Sequence, residues 1–314
     1  MTIELIAVDG VGEVAAGTDL ADLIVTHAAP QDGDVVVITS KIVSKALGLA
    51  STRPRSDVVV EETDRVVARR GDTAIVRTHH GLTLAAAGVD ASNIAPGAVL
   101  PLPRDPDGVA RDIRAAIRER SGVQVAIVVS DTAGRAWRIG QTDIAIGCAG
   151  LAPFDSFEGR DDTYGNSLIV TAPAIADEVA SAAELATGKL GQRPISIIRG
   201  LDRRLLLDKD GSGAAALIRE EPEDLFGLGA REAVVAALGG RPVRGFSEMT
   251  YEEAAELDLV GLASPGDLSV EKTADGYVIQ ASSDQLVDAG MLKQRLLALA
   301  VAHMLSITVD VKIS

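Results

Sequence analysis

The feature that most constrains the fold is a series of short runs rich in valine and isoleucine. Runs of this length and composition are typical of buried β-strands. Between some of them, apolar residues recur at helical spacing, with charged residues on the remaining faces. Strands that alternate with helices predict a mixed α/β or α+β fold. The predicted strands are 3–8, 35–39, 73–76, 123–129, 168–171 and 195–198, and the clearest helices are 19–27, 107–120 and 174–187.

The amino-acid composition of the chain changes near the sequence GGRP at 239–242. Beyond it, a hairpin is predicted around Asp275 and Gly276, followed by a helix at 291–305 and a closing strand at 307–313. We therefore predict two parts, a main domain at 1–238 and a small α+β extension at 239–314.

The chain is acidic, with a net charge of −15 and a pI near 4.7. That balance argues against a nucleic-acid binder, which needs basic faces, and against an anionic membrane as partner. If the chain binds an anionic ligand, it must gather positive charge locally or recruit metal cations. Cys148 is the one cysteine, so no intramolecular disulfide forms, and its apolar surroundings predict a buried structural thiol.

Targeting and membrane segments are not evident in the sequence. The first residues lack the basic region and apolar core of a signal peptide. No run of about 18 apolar residues is present. The expected location is the cytoplasm.

The sequence SDTAGRAWR at 130–138 follows the apolar run 123–129. Ligands of α/β sheets bind at the carboxyl ends of strands. The oxygens of Asp131 and Thr132 suit Mg²⁺ or Mn²⁺, and Arg135 and Arg138 suit carboxylate or phosphate. The alternative is a simple turn with surface arginines.

A second polar stretch, TSKIVSK at 39–45, follows the run 35–39. If a helix begins here, Lys41 and Lys45 share one face, and Ser40 is a possible N-cap beside backbone N–H groups that favour an anion. The alternative is a capped helix with solvated lysines. A third stretch, 80–93, is rich in small residues and ends in two oxygen donors, Asp90 and Asn93. Asp90 is a candidate to pair with Asp131 around a metal.

In order, these stretches resemble the coenzyme F420-0:γ-glutamyl ligase family from about residue 3 to about 235. The matching sequences are TSKIVSK at 39–45, HG at 80–81, AGVDASN at 87–93, DPD at 105–107, SDTAGRAWR at 130–138, YGN at 164–166, ADE at 176–178 and DLF at 224–226. The resemblance implies mixed sheets flanked by helices and an intertwined homodimer, with 1–238 as the catalytic domain.

The resemblance also implies a reaction. The family joins L-glutamate to F420-0 and then adds γ-linked glutamates, with GTP as co-substrate. It uses Mg²⁺ or Mn²⁺ at two sites and a monovalent cation, K⁺. The implied metal ligands are Asp90, Asp131 and Thr132. The implied GTP contacts are Val11, Gly12, Glu13, Val14, Ser40, Lys45 and Asn93, with a looser match at Asp210, Gly211 and Ser212.

Within that implied reaction, Lys45 would add a point charge for catalysis, and Arg135 or Arg138 would hold an anionic part of F420-0 or glutamate. The stretch 9–14 departs from the proline-bearing form usual in the family. Some members carry a fused flavin-binding domain, but the residues after 240 are too few and do not match, so no FMN is expected. Two alternatives remain open: a metal-dependent phosphatase or ligase acting on another carboxylate, and a non-catalytic nucleotide-binding protein.

Overall fold

The structure is a computed structural model that describes residues 2–92, 94–168, 170–239 and 244–313. The chain forms two compact units. Unit 1 comprises Met1–Val66 and Ile75–Ile218, and unit 2 comprises Val67–Ala74 and Arg219–Ser314. The units therefore part at Ile218, earlier than the domain boundary expected after residue 238, and the assignment of 239–314 as a separate extension stays a prediction.

The mixed α+β class predicted from the sequence is confirmed. The described strands are β1 (Glu4–Ala7), β2 (Val35–Thr39), β3 (Thr63–Arg70), β4 (Thr73–Thr78), β5 (Thr83–Ala85), β6 (Ala126–Arg135), β7 (Arg138–Ala149), β8 (Arg160–Asp161), β9 (Ser167–Leu168), β10 (Ile195–Arg199), β11 (Ser269–Lys272), β12 (Gly276–Ala281) and β13 (Thr308–Ile313). The described α-helices are α1 (Leu20–Ala28), α2 (Ser40–Ala46), α3 (Arg55–Glu61), α4 (Pro106–Ser121), α5 (Ile175–Thr187), α6 (Ala230–Leu238), α7 (Tyr251–Glu256), α8 (Leu259–Ala263) and α9 (Leu286–Ala302).

A five-stranded sheet in the order β1-β10-β2-β6-β7 forms the centre of unit 1. Only the β2–β6 pair is parallel; the other three pairs are antiparallel. Side chains alternate along β2, so Val36 and Ile38 face one side while Val35 and Val37 face the other. Helices α1 and α4 cover the first side and α5 covers the second. Both sides are buried, which explains why the run 35–39 is apolar throughout.

Unit 2 contains a three-stranded sheet in the order β11-β12-β13. The hairpin predicted around Asp275 and Gly276 is confirmed as the antiparallel pair β11–β12. The parallel strand β13 follows the long helix α9, and Leu292 and Leu296 of that helix pack with Ile279 of the sheet. Among the described residues, no helix is long and apolar enough to cross a membrane.

Three local expectations are wrong. Strand β6 does not end at Val129 but continues to Arg135, because β7 supplies an antiparallel partner for it beyond the end of β2. Thr39, not Ser40, is the N-cap of α2. The strand expected at 168–171 is present only as Leu168 in β9, and Ile169 lies outside the described residues.

Candidate functional site

The candidate site lies where β2 ends and β6 continues. Thr39 is the last residue of β2 and pairs with Ser130 of β6. Beyond that point β6 and β7 run on as a two-stranded ribbon, defined here as residues 130–135 and 138–145. Helix α2 begins at Ser40 directly beside it. The two polar stretches of the sequence, 39–45 and 130–138, therefore meet at one edge of the sheet, at the carboxyl ends of two paired parallel strands.

The ribbon has two faces because successive side chains point to opposite sides. Asp131 faces the side of the sheet that carries α2, whereas Thr132 faces the side that carries α5. A β-bulge adjusts the partner strand: Val129 pairs with Gly147 but Ser130 pairs with Ala145, so β7 has one extra residue there. The bulge turns Asp143 onto the same face as Thr132, with which it pairs directly.

On the first face, two carboxylates are held by hydroxyl and ammonium groups. The Ser40 hydroxyl donates to Asp131 Oδ1 at 2.7 Å. Lys41 Nζ lies 2.5 Å from Asp90 Oδ2 and donates to Ser92 Oγ at 2.9 Å. Ser92 in turn donates its backbone N–H to Asp90 Oδ1 at 2.7 Å. The structure thus brings together the three residues Ser40, Asp90 and Asp131 that were predicted for this site.

The two carboxyl groups of this face titrate differently. Burial raises the pKa of Asp131 to about 6, with the Ser40 hydrogen bond opposing it and the neighbouring charges of Asp143 and Asp90 adding to it. Burial also acts to raise the pKa of Asp90, but hydrogen bonds from Lys41 and Ser92 outweigh it and leave that pKa below its usual range. The face therefore contains more negative charge than Lys41 alone neutralises.

A strained turn positions Asp90. Ala86 and Ala87 both adopt left-handed backbone conformations, at φ of 49° and 55°, which is unfavourable for a residue with a Cβ. The following segment is fixed by hydrogen bonds: Arg55 donates twice to the Val89 carbonyl, and Asp90 exchanges backbone bonds with Leu100. Ala87 is buried, and a Cβ at Gly88 would lie 2.7 Å from the Leu102 side chain, so bulkier residues are not tolerated at these two positions.

On the second face, Asp143 accepts hydrogen bonds from two hydroxyls. Thr132 Oγ1 donates to Asp143 Oδ1 at 2.7 Å and Ser130 Oγ donates to Oδ2 at 3.1 Å. Lys189 Nζ donates to Thr132 Oγ1 at 2.5 Å and to Glu184 Oε1 at 2.9 Å. Thr132, a predicted metal ligand, therefore lies on the opposite face of the ribbon from Asp131. Among the described residues, no three His, Cys, Asp or Glu side chains converge as a ready metal cage.

The N-terminal stretch predicted to contact GTP packs against α2. Lys45 Nζ lies 2.5 Å from Glu13 Oε1, and Gly17 donates its N–H to the Ala46 carbonyl. The side chains of Val11 and Val14 are buried in the core, whereas Gly12 and Glu13 are exposed. The structure thus brings Glu13 and Lys45 into contact beside the ribbon. Asn93, the other predicted nucleotide contact of this region, lies outside the described residues.

The predicted arginines lie at the tip of the ribbon. Arg135 and Arg138 form the closing pair of the β6–β7 hairpin, and both are exposed. Between them, Trp137 is 81% exposed and adopts a left-handed conformation at φ 60°. Arg135 follows Asp131 by four residue steps along the strand, which separates their Cα atoms by about 13 Å. Within one chain, the arginines are therefore not neighbours of the predicted metal ligands.

The loop at Asp210, Gly211 and Ser212 lies at the other end of β6. The Gly150 N–H donates to the Asp210 carbonyl, and Arg114 donates to Asp210 Oδ1 at 2.7 Å. Gly150 follows the end of β7, which pairs with the start of β6. That start is about 16 Å along the strand from Asp131. The structure therefore does not bring this loop together with the metal-ligand candidates of the same chain.

Sequence reasoning missed three side chains of the site. Asp143 was not singled out, because a lone aspartate in an alternating stretch carries no signal of its own. Glu184 lies in the predicted helix 174–187 and Lys189 lies just beyond it, where charged side chains usually face solvent. Only the pairing of Thr132 with Asp143 in the ribbon and the packing of α5 on β7 bring them together. By contrast, the burial predicted for Cys148 is confirmed, and that burial raises the pKa of its thiol to about 12.

Comparisons with known proteins identify a family and several relatives. Residues 49–200 match the model of the family described as F420-0:Gamma-glutamyl ligase. The chain is 36% identical over 252 residues to "Coenzyme F420:L-glutamate ligase" of Methanothermobacter thermautotrophicus, which covers 72% of this chain and 99% of that protein. It is 37% identical over 235 residues to the protein of the same name from Methanopyrus kandleri, which covers 68% of this chain and 93% of that protein.

Proposed function

Because this chain belongs to the F420-0:γ-glutamyl ligase family, we propose that it joins L-glutamate to F420-0 and then adds further γ-linked glutamates, with GTP as co-substrate. The chain is an amide-forming ligase of coenzyme F420 biosynthesis. The substrates would be F420-0, L-glutamate and GTP.

The chemistry follows from the poor reactivity of a carboxylate toward an amine. The carboxylate of F420-0 attacks the γ-phosphorus of GTP, the bond to the β-phosphate oxygen breaks, and GDP leaves. The amine of glutamate then attacks the acyl phosphate, an amide bond forms, and inorganic phosphate leaves with the bonding electron pair. Phosphoryl transfer depends on positioning and charge neutralisation more than on a protein nucleophile. A site built from carboxylates, hydroxyls and lysines fits that requirement.

Divalent metal ions fit the oxygen donors on the ribbon and beside it. Asp90 and Asp131 offer carboxylate oxygens on one face, and Thr132 offers a hydroxyl oxygen on the other, all hard ligands suited to Mg²⁺ or Mn²⁺. The observation that carries the proposal is the convergence of Ser40, Asp90 and Asp131 at one edge of the sheet. Burial raises the pKa of Asp131 to about 6, and the charges of Asp143 and Asp90 add to that rise. When bound, such ions would neutralise the phosphate charge. The opposite orientation of Asp131 and Thr132 supports two metal sites rather than one.

The residues beside the metal donors would bind the nucleotide. The Lys45 ammonium group is paired with Glu13 at 2.5 Å, and a nucleotide phosphate would take the place of that exposed carboxylate. Ser40 lies next to Asp131, and Gly12 is exposed in the adjacent loop. These contacts support Gly12, Glu13, Ser40 and Lys45 as nucleotide-binding residues. Val11, Val14 and Asn93 are proposed from the family resemblance alone. The loop 210–212 would complete it only if it acted from another chain.

A homodimer is therefore part of the proposal. The ribbon tip presents Trp137 at 81% and Ile139 at 101% exposure, which is unusual for two large apolar side chains so close in sequence. A second copy would cover them. A monovalent cation, K⁺, is proposed from the family resemblance alone.

The decisive experiment incubates the purified chain with F420-0, L-glutamate, GTP and Mn²⁺ and follows products by mass spectrometry. We expect F420-0 to gain glutamate residues while GDP and phosphate accumulate in step. GTP hydrolysis with another acid, and no glutamylated F420-0, would instead identify a phosphatase or a ligase for another carboxylate. Nucleotide binding without turnover would identify a non-catalytic protein.

The arginines at the ribbon tip are proposed to hold an anionic part of F420-0 or glutamate. An Arg138→Ala variant should then raise the Michaelis constant of one of these substrates or lower turnover. Arg118→Ala serves as the matched control, since Arg118 is an exposed arginine on α4. Unchanged constants in the Arg138 variant would contradict this role.

A further inference from the structure

The Thr132 hydroxyl has a defined orientation in this structure. Its single proton points to Asp143 Oδ1, 2.7 Å away, and Ser130 donates to the second oxygen of the same carboxylate at 3.1 Å. The Asp143 side chain is only 14% exposed, so these two bonds are its main partners at this end of the ribbon. With its proton used in this way, the Thr132 oxygen can act only as an acceptor.

A cation already lies against that oxygen. Lys189 Nζ donates to Thr132 Oγ1 at 2.5 Å and is 3.9 Å from Asp143 Oδ1. Its other partner is Glu184, at 2.9 Å. Lys189 is 62% exposed and lies just beyond the end of α5, so its side chain can move away without disturbing the core.

From this geometry we propose that Asp143 is a positioning residue of the ligase reaction, and that Lys189 competes with the divalent cation for Thr132. Asp143 fixes the hydroxyl so that its lone pairs face the cation position. Lys189 occupies that position until a divalent ion displaces it. This inference rests on the proposed function, which makes Thr132 a metal ligand.

The physical argument is that of an outer-shell partner. A carboxylate that accepts the proton of a ligand fixes its orientation and increases its basicity, and losing such a partner typically weakens metal binding by about 10–100-fold. A tethered ammonium group has the opposite effect, because it must leave before the metal binds. Since Lys189 is exposed, its hold is weak and its removal should tighten binding by only about two- to fivefold.

The two variants therefore predict changes of opposite sign. Mn²⁺ affinity is measured on the nucleotide-free full chain by electron paramagnetic resonance and calorimetry. We expect Asp143→Asn to weaken binding about 10–100-fold, because its amide group cannot accept from both hydroxyls. We expect Lys189→Met to tighten binding about two- to fivefold. Asp177→Asn is the matched control, since the Asp177 carboxylate accepts from the N–H of Ala145, two residues from Asp143 on β7.

Turnover gives an independent readout. In Asp143→Asn, raising Mn²⁺ should restore much of kcat while the Michaelis constant for F420-0 stays near that of the unaltered chain. Asp143→Glu, which keeps the charge, should recover part of the Mn²⁺ affinity.

Equal Mn²⁺ affinity in the unaltered chain and both variants would overturn this inference and leave the proposed function standing. Weaker binding in Lys189→Met would also overturn it, because the lysine would then assist the metal. Lys189 is exposed, so this arm does not depend on whether the Asp143 variants fold. If the unaltered chain binds no Mn²⁺ and makes no glutamylated product, the proposed function fails first.

Discussion

Aspartate side chains lie near both ends of the β6–β7 pair, but their hydrogen-bond partners differ. At the ribbon end, Asp131 accepts from the Ser40 hydroxyl, and Asp90 pairs with the Lys41 ammonium group besides accepting the Ser92 backbone N–H. The hydroxyl and the ammonium group can exchange partners. At the other end, Asp107 accepts the backbone N–H groups of Cys148 and Ala214, each at 2.7 Å, and Asp210 pairs with Arg114. Arg114 in turn donates to the carbonyls of neighbouring loops.

The difference lies in what satisfies each carboxylate. Backbone N–H groups cannot leave without unfolding the loop that carries them, so Asp107 is committed to structure. Hydroxyl and ammonium groups can be displaced by a metal ion or a phosphate. Asp131, whose hydrogen-bond partner is a replaceable hydroxyl, is therefore a stronger functional candidate than Asp107.

The largest effect is expected at the ribbon end. Asp131→Asn keeps the size and the acceptor for Ser40 but removes the charge, so glutamate addition should fall at least about a hundredfold, more than for loss of an outer-shell partner. The rate of F420-0 glutamylation measures it. Asp107→Asn is the control at the other end, and a comparable loss of rate there would show that the two ends do not differ in function.

For Asp107→Ala we expect a loss of stability with no change in metal binding. It leaves the N–H groups of Cys148 and Ala214 without an acceptor, at a cost of about 2–4 kcal/mol in the free energy of unfolding. Urea titration measures this loss, and Asp107→Asn, which keeps one accepting oxygen, should lose much less. Mn²⁺ affinity of the folded variant should be unchanged; a change in it would link this end to the site.

The pH dependence of stability should identify Asp131. Its pKa is about 6 in the folded chain against 3.8 in the unfolded chain, so the folded state binds the proton more tightly. Its contribution therefore favours folding at low pH, declines as pH rises from about 4 to 6, and is flat above. The total is about 3 kcal/mol. The measurement is the free energy of unfolding against pH, without metal, for the unaltered chain and for Asp131→Asn. The difference between the two should follow this pH dependence, and a difference that does not change with pH would contradict the raised pKa of Asp131.

The smallest effects are expected for Lys41 and Lys189, the two lysines that contact opposite sides of the site beside the ribbon. Lys41 is half-buried against Asp90, so Lys41→Met should cost about 1–2 kcal/mol by leaving that carboxylate without its cation. Lys189 is exposed, and Lys189→Met should change stability by less than about 0.5 kcal/mol. Thermal unfolding in a chelating buffer measures both. Equal losses would mean that the faces of the ribbon do not differ in burial of their charges.

Much of the fold was predictable because its signals are local. Runs such as 35–39 and 195–198 are apolar along their whole length since both sides of the central sheet are covered, and they appear as β2 and β10. The β11–β12 hairpin followed from its turn. The predicted end of β6 was wrong because the polar residues from Ser130 onward were interpreted as a loop. They are strand residues whose partner, β7, lies further along the chain.

For the candidate site, the sequence alone determined which chemical groups are available: hard oxygen donors, two lysines on α2 and an excess of negative charge. It also indicated that 39–45 and 130–138 each follow a buried strand, but the parallel pairing of β2 with β6 decided that they meet. Only the tertiary structure decided the orientation of each group. Strand alternation and the bulge in β7 place Asp131 on one face and Thr132 with Asp143 on the other, and packing of α5 brings Lys189 to Thr132. The reason is physical: composition and periodicity are local properties, whereas the face that a side chain occupies depends on pairing register with distant residues.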